Sequence, residues 1–197
     1  APSTAAPGFA EFLEQSLLAM ARAPSVFASA ALRPAPAFGA IAGLALGSGI
    51  TAFALNLTHG VILNPGFLQH FTPFILAAVG AAALALYAGL LILLAALLYG
   101  LGRVLGGAGG FDRALQAAAA LSLMAPLQAL CNWFAAAWVL PAMLAAWVAA
   151  GALEGLFKVK PQLARAACAL LACAAVGLQF AGRAFLEGAA QAYSAAQ

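Results

Sequence analysis

Charge is what this chain has least of. Only 7% of its 197 residues are charged, and the forty residues from Ala114 to Leu153 contain no charged side chain. A water-soluble domain cannot clothe its surface with so few charges, so a soluble globular fold is excluded. The acids are Glu11, Glu14, Asp112, Glu154 and Glu187, and neither a GxSxG nor an HExxH pattern occurs. Catalysis by paired acids, or by a nucleophile with its base, therefore has no support, and no enzyme is expected. No ionisable residue falls near the middle of a long apolar stretch, which argues against an ion-coupled pump or transporter. Cys131, Cys168 and Cys173 form no CxxC pair and read as free buried thiols. His59 and His70 stand eleven positions apart with no Cys, Asp or Glu between them, short of the three or four ligands a zinc site needs. Neither metal nor cofactor is expected. The net charge of +3 comes without a basic patch interleaved with aromatics, so nucleic acid is not an expected partner.

What is present is hydrocarbon-compatible sequence, with 66% of residues apolar. In a bilayer the backbone must satisfy its own hydrogen bonds, so long uncharged apolar stretches form helices. Four stand out: 36–57, 71–101, 114–153 and 162–182. A span takes about 20 residues, so the third is long enough for two. The expectation is an all-α polytopic bundle of five spans, at 36–57, 71–101, 114–132, 136–155 and 162–182. The turn inside the third stretch is expected near Asn132, where a turn former adjoins the interfacial Trp133. Pro126 is expected to kink the third span near its end, and Pro141 to fall in the first turns of the fourth. The second span would extend about 46 Å as one helix, longer than a hydrocarbon core of about 30 Å, so it should tilt or project.

Orientation follows from the basic residues. Arg22, Arg33, Arg103, Arg113, Lys158, Lys160 and Arg165 alternate with loops that have none, and Arg183 alone breaks the pattern. The positive-inside rule then puts the N-terminus in the cytoplasm and the C-terminus outside. Residues 1–33 read as a tail followed by an amphipathic helix, 34–184 as the membrane domain and 185–197 as a C-terminal tail. No signal-peptide pattern is recognisable in the first residues. In Phe9–Ala21, the apolar stripe Phe9, Phe12, Leu13, Leu17 and Met20 fits a helix that lies along the membrane interface or packs on the cytoplasmic side.

Gly39, Gly43 and Gly47 recur every four residues in the first span and give one helix face that a second helix can approach closely, from the same chain or another protomer. Of the polar residues within spans, Thr51, Tyr87, Gln128 and Asn132 are the ones a solute cavity would use. Hydrogen bonding within or between helices is the alternative role. The run Gly106-Gly107-Ala108-Gly109-Gly110 lacks the GK[ST] ending of a phosphate cradle and reads as a flexible turn.

Several of these residues also carry a resemblance. The loop Gly106, Gly107, Gly109 and Phe111 precedes a helix with Pro126. Trp147 leads to Glu154-Gly155-Leu156-Phe157-Lys158, and Pro24-Ser25-Val26-Phe27 precedes the first span. This arrangement resembles the Yip1 family of five-span membrane proteins, although Lys158-Val159-Lys160 stands where many members have a His-Gly pair. The resemblance implies a bacterial-type inner-membrane protein whose fold and location are clearer than its activity. The expected function is that of a non-enzymatic scaffold, partner-binding or membrane-organising protein. Its partners would be the lipid bilayer and a membrane protein or a second copy of itself. The alternative is a transporter or channel, or a subunit of one, for a small or lipid-like solute.

Overall fold

A computed structural model of the chain describes residues 6–64, 66, 72–134 and 139–195, with side chains described as far as residue 182. The described residues form seven helices and no strand: α1 (Phe9–Ala30), α2 (Phe38–Leu63), α3 (Pro73–Val104), α4 (Phe111–Ser122), α5 (Met124–Cys131), α6 (Val139–Gly155) and α7 (Pro161–Ala195). Four helical runs are long and apolar enough to cross a membrane: α2, α3, the α4–α5 pair and the first 22 residues of α7. The chain is thus a helical membrane protein. Helix α6 is apolar but shorter, at 17 residues.

Proline chemistry explains the division between α4 and α5. The ring of Pro126 crowds the carbonyl four residues back, that of Ser122, and cannot supply the N–H an α-helix needs. The chain breaks at Leu123, whose N–H donates to Ala120 O at 3.3 Å in a tighter turn. The span expected to bend at Pro126 is thus interrupted at Leu123, with helical backbone angles on either side of the break. Helix α5 ends at Cys131, next to the turn expected near Asn132, while the span start expected at 136 lies outside the described residues. Pro141 lies within the first turn of α6.

Helix α1 is two helices joined at a sharp bend. Glu11 and Arg33 are 22 positions apart, about 33 Å along a straight helix, yet their side chains form an ion pair. The chain folds back at Arg22, whose φ of −138° and ψ of 43° are not helical, and Pro24 sits where a first turn tolerates it. The buried face is Phe12, Ser16, Ala19, Ala23, Phe27 and Ala30. Of the expected stripe only Phe12 is fully buried. Phe9 and Leu17 are about half exposed, because the small side chains on the neighbouring face let the helix pack more closely than bulky ones would.

The core lies toward one end of the bundle. There the second limb of α1, the last turns of α3, the Ala114–Leu121 stretch of α4 and the end of α6 share a single cluster of buried residues. A smaller cluster joins Phe12 to Ala40, Ile41 and Leu44 of α2. The long helices are secured mainly at this end. Along α3 only Ala95, Leu98 and Gly102 are buried, and along the described side chains of α7 only Ala164 and Cys168. The 32 residues of α3 extend about 48 Å, in line with a span that tilts or projects. At the opposite end His59 of α2 stacks on Trp133, with ring centroids 5.2 Å apart. His70 lies outside the described residues.

Candidate functional site

The glycine-rich loop is a locked joint. Helix α3 ends with Gly106 at φ +81°, a left-handed conformation that strains any residue with a Cβ. Gly106 N–H donates to Arg103 O at 3.1 Å and Gly107 N–H to Gly102 O at 2.7 Å, the paired bonds of a Schellman closure. Ala108 N–H then donates to Phe157 O at 2.8 Å, joining this loop to the turn after α6. The Phe157 ring is fully buried and lies against Gly102 and Gly109, where an added Cβ would come within 2.5 Å and 2.6 Å of ring atoms. At Gly107 a Cβ would meet two backbone oxygens at 2.8 Å. The expectation of a flexible turn is corrected: the glycines are there because another backbone and an aromatic ring occupy the space. Phe111 opens α4 and meets Tyr99 edge-on at 5.9 Å.

The same end holds α1. At Gly155 a Cβ would lie 2.6 Å from Phe27 C and Ala28 N, and at Gly151 it would lie 2.7 Å from Ala23 C. The close helix contact of this fold is therefore made by Gly151 and Gly155 of α6 on the second limb of α1. Arg113 adds a polar clamp. Its guanidinium donates to Ala30 O (3.2 Å), Ala31 O (3.5 Å) and Arg33 O (2.5 Å), and to Gln116 Oε1 (3.1 Å). These bonds give the Ala31 and Arg33 carbonyls a donor, add a second one to Ala30 O, which already accepts from Arg33 N–H, and put a cation at the negative pole of α1. In the sequence Arg113 has no mark beyond its place among the orientation charges. Glu154, in the last turn of α6, is poorly matched to the helix dipole there. Its carboxylate accepts from Arg165 Nε at 2.8 Å and Nη2 at 3.4 Å, a fork that joins α6 to α7. Lys158 has φ of 61°, in the left-handed region.

The Gly39, Gly43 and Gly47 face is open. Nothing lies within 4 Å of a Cβ added at Gly39 or Gly47, and at Gly43 only the Phe9 ring comes near, at 3.3 Å. The packing face of α2 is the stripe Ile41, Leu44, Ala45, Ser48 and Ala52, and one residue is about 100° of helix rotation. Gly39 and Gly47 are thus turned away from the bundle, and among the described residues only the Phe9 ring of α1 approaches this face, at Gly43. Gly49, one of the residues that does face inward, takes the Tyr87 ring instead.

Of the residues expected to line a solute cavity, Gln128 and Asn132 meet each other, whereas Thr51 and Tyr87 border different spaces. Thr51 lines a groove of about 340 Å³ with Phe9, Gly43, Gly47 and Pro126, and its hydroxyl donates to Gly47 O at 2.8 Å. Tyr87 borders a separate space of about 180 Å³ between α2, α3 and α4. Gln128 of α5 donates to Oδ1 of Asn132, the residue that follows the helix, at 3.0 Å. Ser48 and Ser122 likewise bond to carbonyls of their own helices, at 2.8 Å and 2.6 Å. Among the described residues no three of His, Cys, Asp or Glu are grouped as a metal site requires. No family model, curated protein or solved structure matches the chain.

Proposed function

We propose that this chain is a non-enzymatic, five-span inner-membrane protein of the Yip1 type. It would act by binding a membrane-embedded partner, either another protein or a second copy of itself. The observation that carries this reading is the open glycine face of α2. A strip without side chains invites close helix approach, and in hydrocarbon such contacts are a main source of helix association. The fifth span is α6, whose 17 residues reach about 25 Å, slightly less than a typical hydrocarbon core.

The orientation comes from the basic end. Arg33, Arg103, Arg113, Lys158, Lys160 and Arg165 belong to the segments that the Arg113 clamp and the Ala108–Phe157 bond draw together. On the positive-inside rule this end is cytoplasmic. The motifs behind the family resemblance also meet here: the loop before Phe111, the Glu154–Lys158 turn and the Pro24–Phe27 limb. That gives the resemblance a physical content, a joint built around Phe157.

The test is Gly39→Leu with Gly47→Leu, two sites where an added Cβ has no described atom within 4 Å. The protein is tagged, extracted gently from its native membrane, and compared with the unaltered chain for stoichiometric companions and oligomer mass. Loss of the partner or oligomer with unchanged thermal stability is expected. A complex that survives both substitutions overturns the proposal.

A further inference from the structure

A groove of about 350 Å³ runs between α6 and α7, lined by Met143, Trp147, Ala150, Cys168 and Cys173, with Arg165 at its mouth. From Arg165 to Cys173 it follows α7 for eight residues, about 12 Å, and below Arg165 its wall is apolar. The mouth is cationic. Glu154 is only 10% exposed whereas Arg165 is 59% exposed, so the outward side of their ion pair is guanidinium. Arg165 commits Nε and one Nη2 hydrogen to Glu154, and its other donors remain for an external acceptor. Lys158 and Lys160 are exposed on the turn that joins the two helices. Arg165 is the cation that lines the groove, and the turn joining its two helices adds two exposed lysines, so an apolar channel with cationic residues at one end complements an amphiphile with an anionic head.

We propose that this groove binds an anionic phospholipid, with one acyl chain between α6 and α7 and the phosphate-bearing head group on Arg165, Lys158 and Lys160. A free phosphate would leave the apolar wall uncovered, and a neutral lipid would leave the cations unmatched. Basic pockets between membrane helices on the cytoplasmic side favour anionic head groups in this way. The proposal rests on the membrane-spanning reading above, but not on what binds the glycine face of α2.

Trp147 supplies the reporter, because it lines the groove and is 39% exposed. A variant that keeps Trp147 as its sole tryptophan is reconstituted into phosphatidylcholine vesicles. Trp147 fluorescence is then titrated with brominated-chain phosphatidylglycerol or with brominated-chain phosphatidylcholine at matched mole fractions. The anionic lipid is expected to quench at a mole fraction at least about tenfold lower, the lower bound for two or three cations near the head group. Lys158→Asn with Lys160→Gln should reduce that preference severalfold while leaving quenching by phosphatidylcholine unchanged. Equal quenching by the two lipids overturns the proposal. So does a preference that survives the double substitution, since the head group is then held elsewhere. Quenching by neither lipid overturns the membrane-spanning reading along with it.

Discussion

The joint around Phe157 makes a coupling prediction that can be worked from distances. In Gly102→Ala the new Cβ would lie 2.5 Å from Phe157 Cδ1 and 3.0 Å from Cγ and Cε1, against an ordinary carbon contact of about 3.5–4 Å. The ring must retreat by about 1 Å, but Gly109 touches the same ring with no more room to spare, and Phe157 is fully buried. Overpacking of this kind costs about 1–3 kcal/mol, even though alanine is favoured over glycine in a helix by about 1 kcal/mol. Phe157→Ala alone should cost about 3–5 kcal/mol by emptying the site. With the ring gone the clash is gone, so adding Gly102→Ala to Phe157→Ala should be neutral or stabilise by up to about 1 kcal/mol. The coupling is then about 2–3 kcal/mol, well above the roughly 0.5 kcal/mol within which independent sites add. Reversible unfolding of the four proteins in mixed micelles of mild detergent and dodecyl sulfate, followed by far-ultraviolet circular dichroism, measures it. Additive costs would refute the claim that these glycines exist to seat the ring.

Two further predictions concern the same end. Arg113→Met should cost about 2–3 kcal/mol, because it removes charge-assisted bonds to three carbonyls at the end of α1. Hydrogen exchange should rise over residues 23–33, and Arg113→Lys should recover only part of the loss, since a lysine lacks the planar fork. Lys158→Gly should raise the unfolding midpoint by an amount equivalent to about 1 kcal/mol, because it relieves a left-handed backbone that costs a side-chain-bearing residue about 1–2 kcal/mol. A fall in the midpoint would show that the Lys158 side chain contributes more than its backbone conformation costs.

The helices were legible in the sequence because hydrocarbon leaves the backbone few options: the apolar runs at 36–57, 71–101 and 162–182, with Arg165 their one charge, correspond closely to α2, α3 and the first part of α7. Pro126 was legible for the same local reason, since its ring acts on a carbonyl four residues away. The site was less so. Glycines carry no side chain to indicate what lies against them, and the partner of the Gly106–Gly110 loop is some fifty residues further along the chain. Which of two glycine pairs, Gly43 and Gly47 or Gly151 and Gly155, meets a backbone depends on how each helix is rotated about its axis. That rotation is set by the whole bundle, so similar spacings gave one open face and one filled contact. Arg113 was hidden by sufficiency: positive-inside bias already explained it, and nothing in its neighbourhood pointed to the carbonyls of α1.

The uneven distribution of buried contact bears on how the protein can work. In lipid there is no hydrophobic drive to bring one apolar helix against another, so a helix stays where packing and hydrogen bonds hold it. Here those interactions concentrate at the basic end, in the Phe157 joint, the Gly151 and Gly155 contact, the Arg113 clamp and the Glu154–Arg165 fork. Away from that end, α3 and α7 present mostly exposed apolar side chains, among them Phe74, Leu86, Leu171 and Leu178. The far parts of these helices are therefore held by the bilayer more than by the bundle. The surfaces left for recognition are the bare strip of α2 and the channel between α6 and α7. Both begin close to the locked end, where their position relative to the core is fixed. An architecture packed tightly at one end and supported by lipid at the other would hold both surfaces in fixed positions, as the proposed partner binding requires.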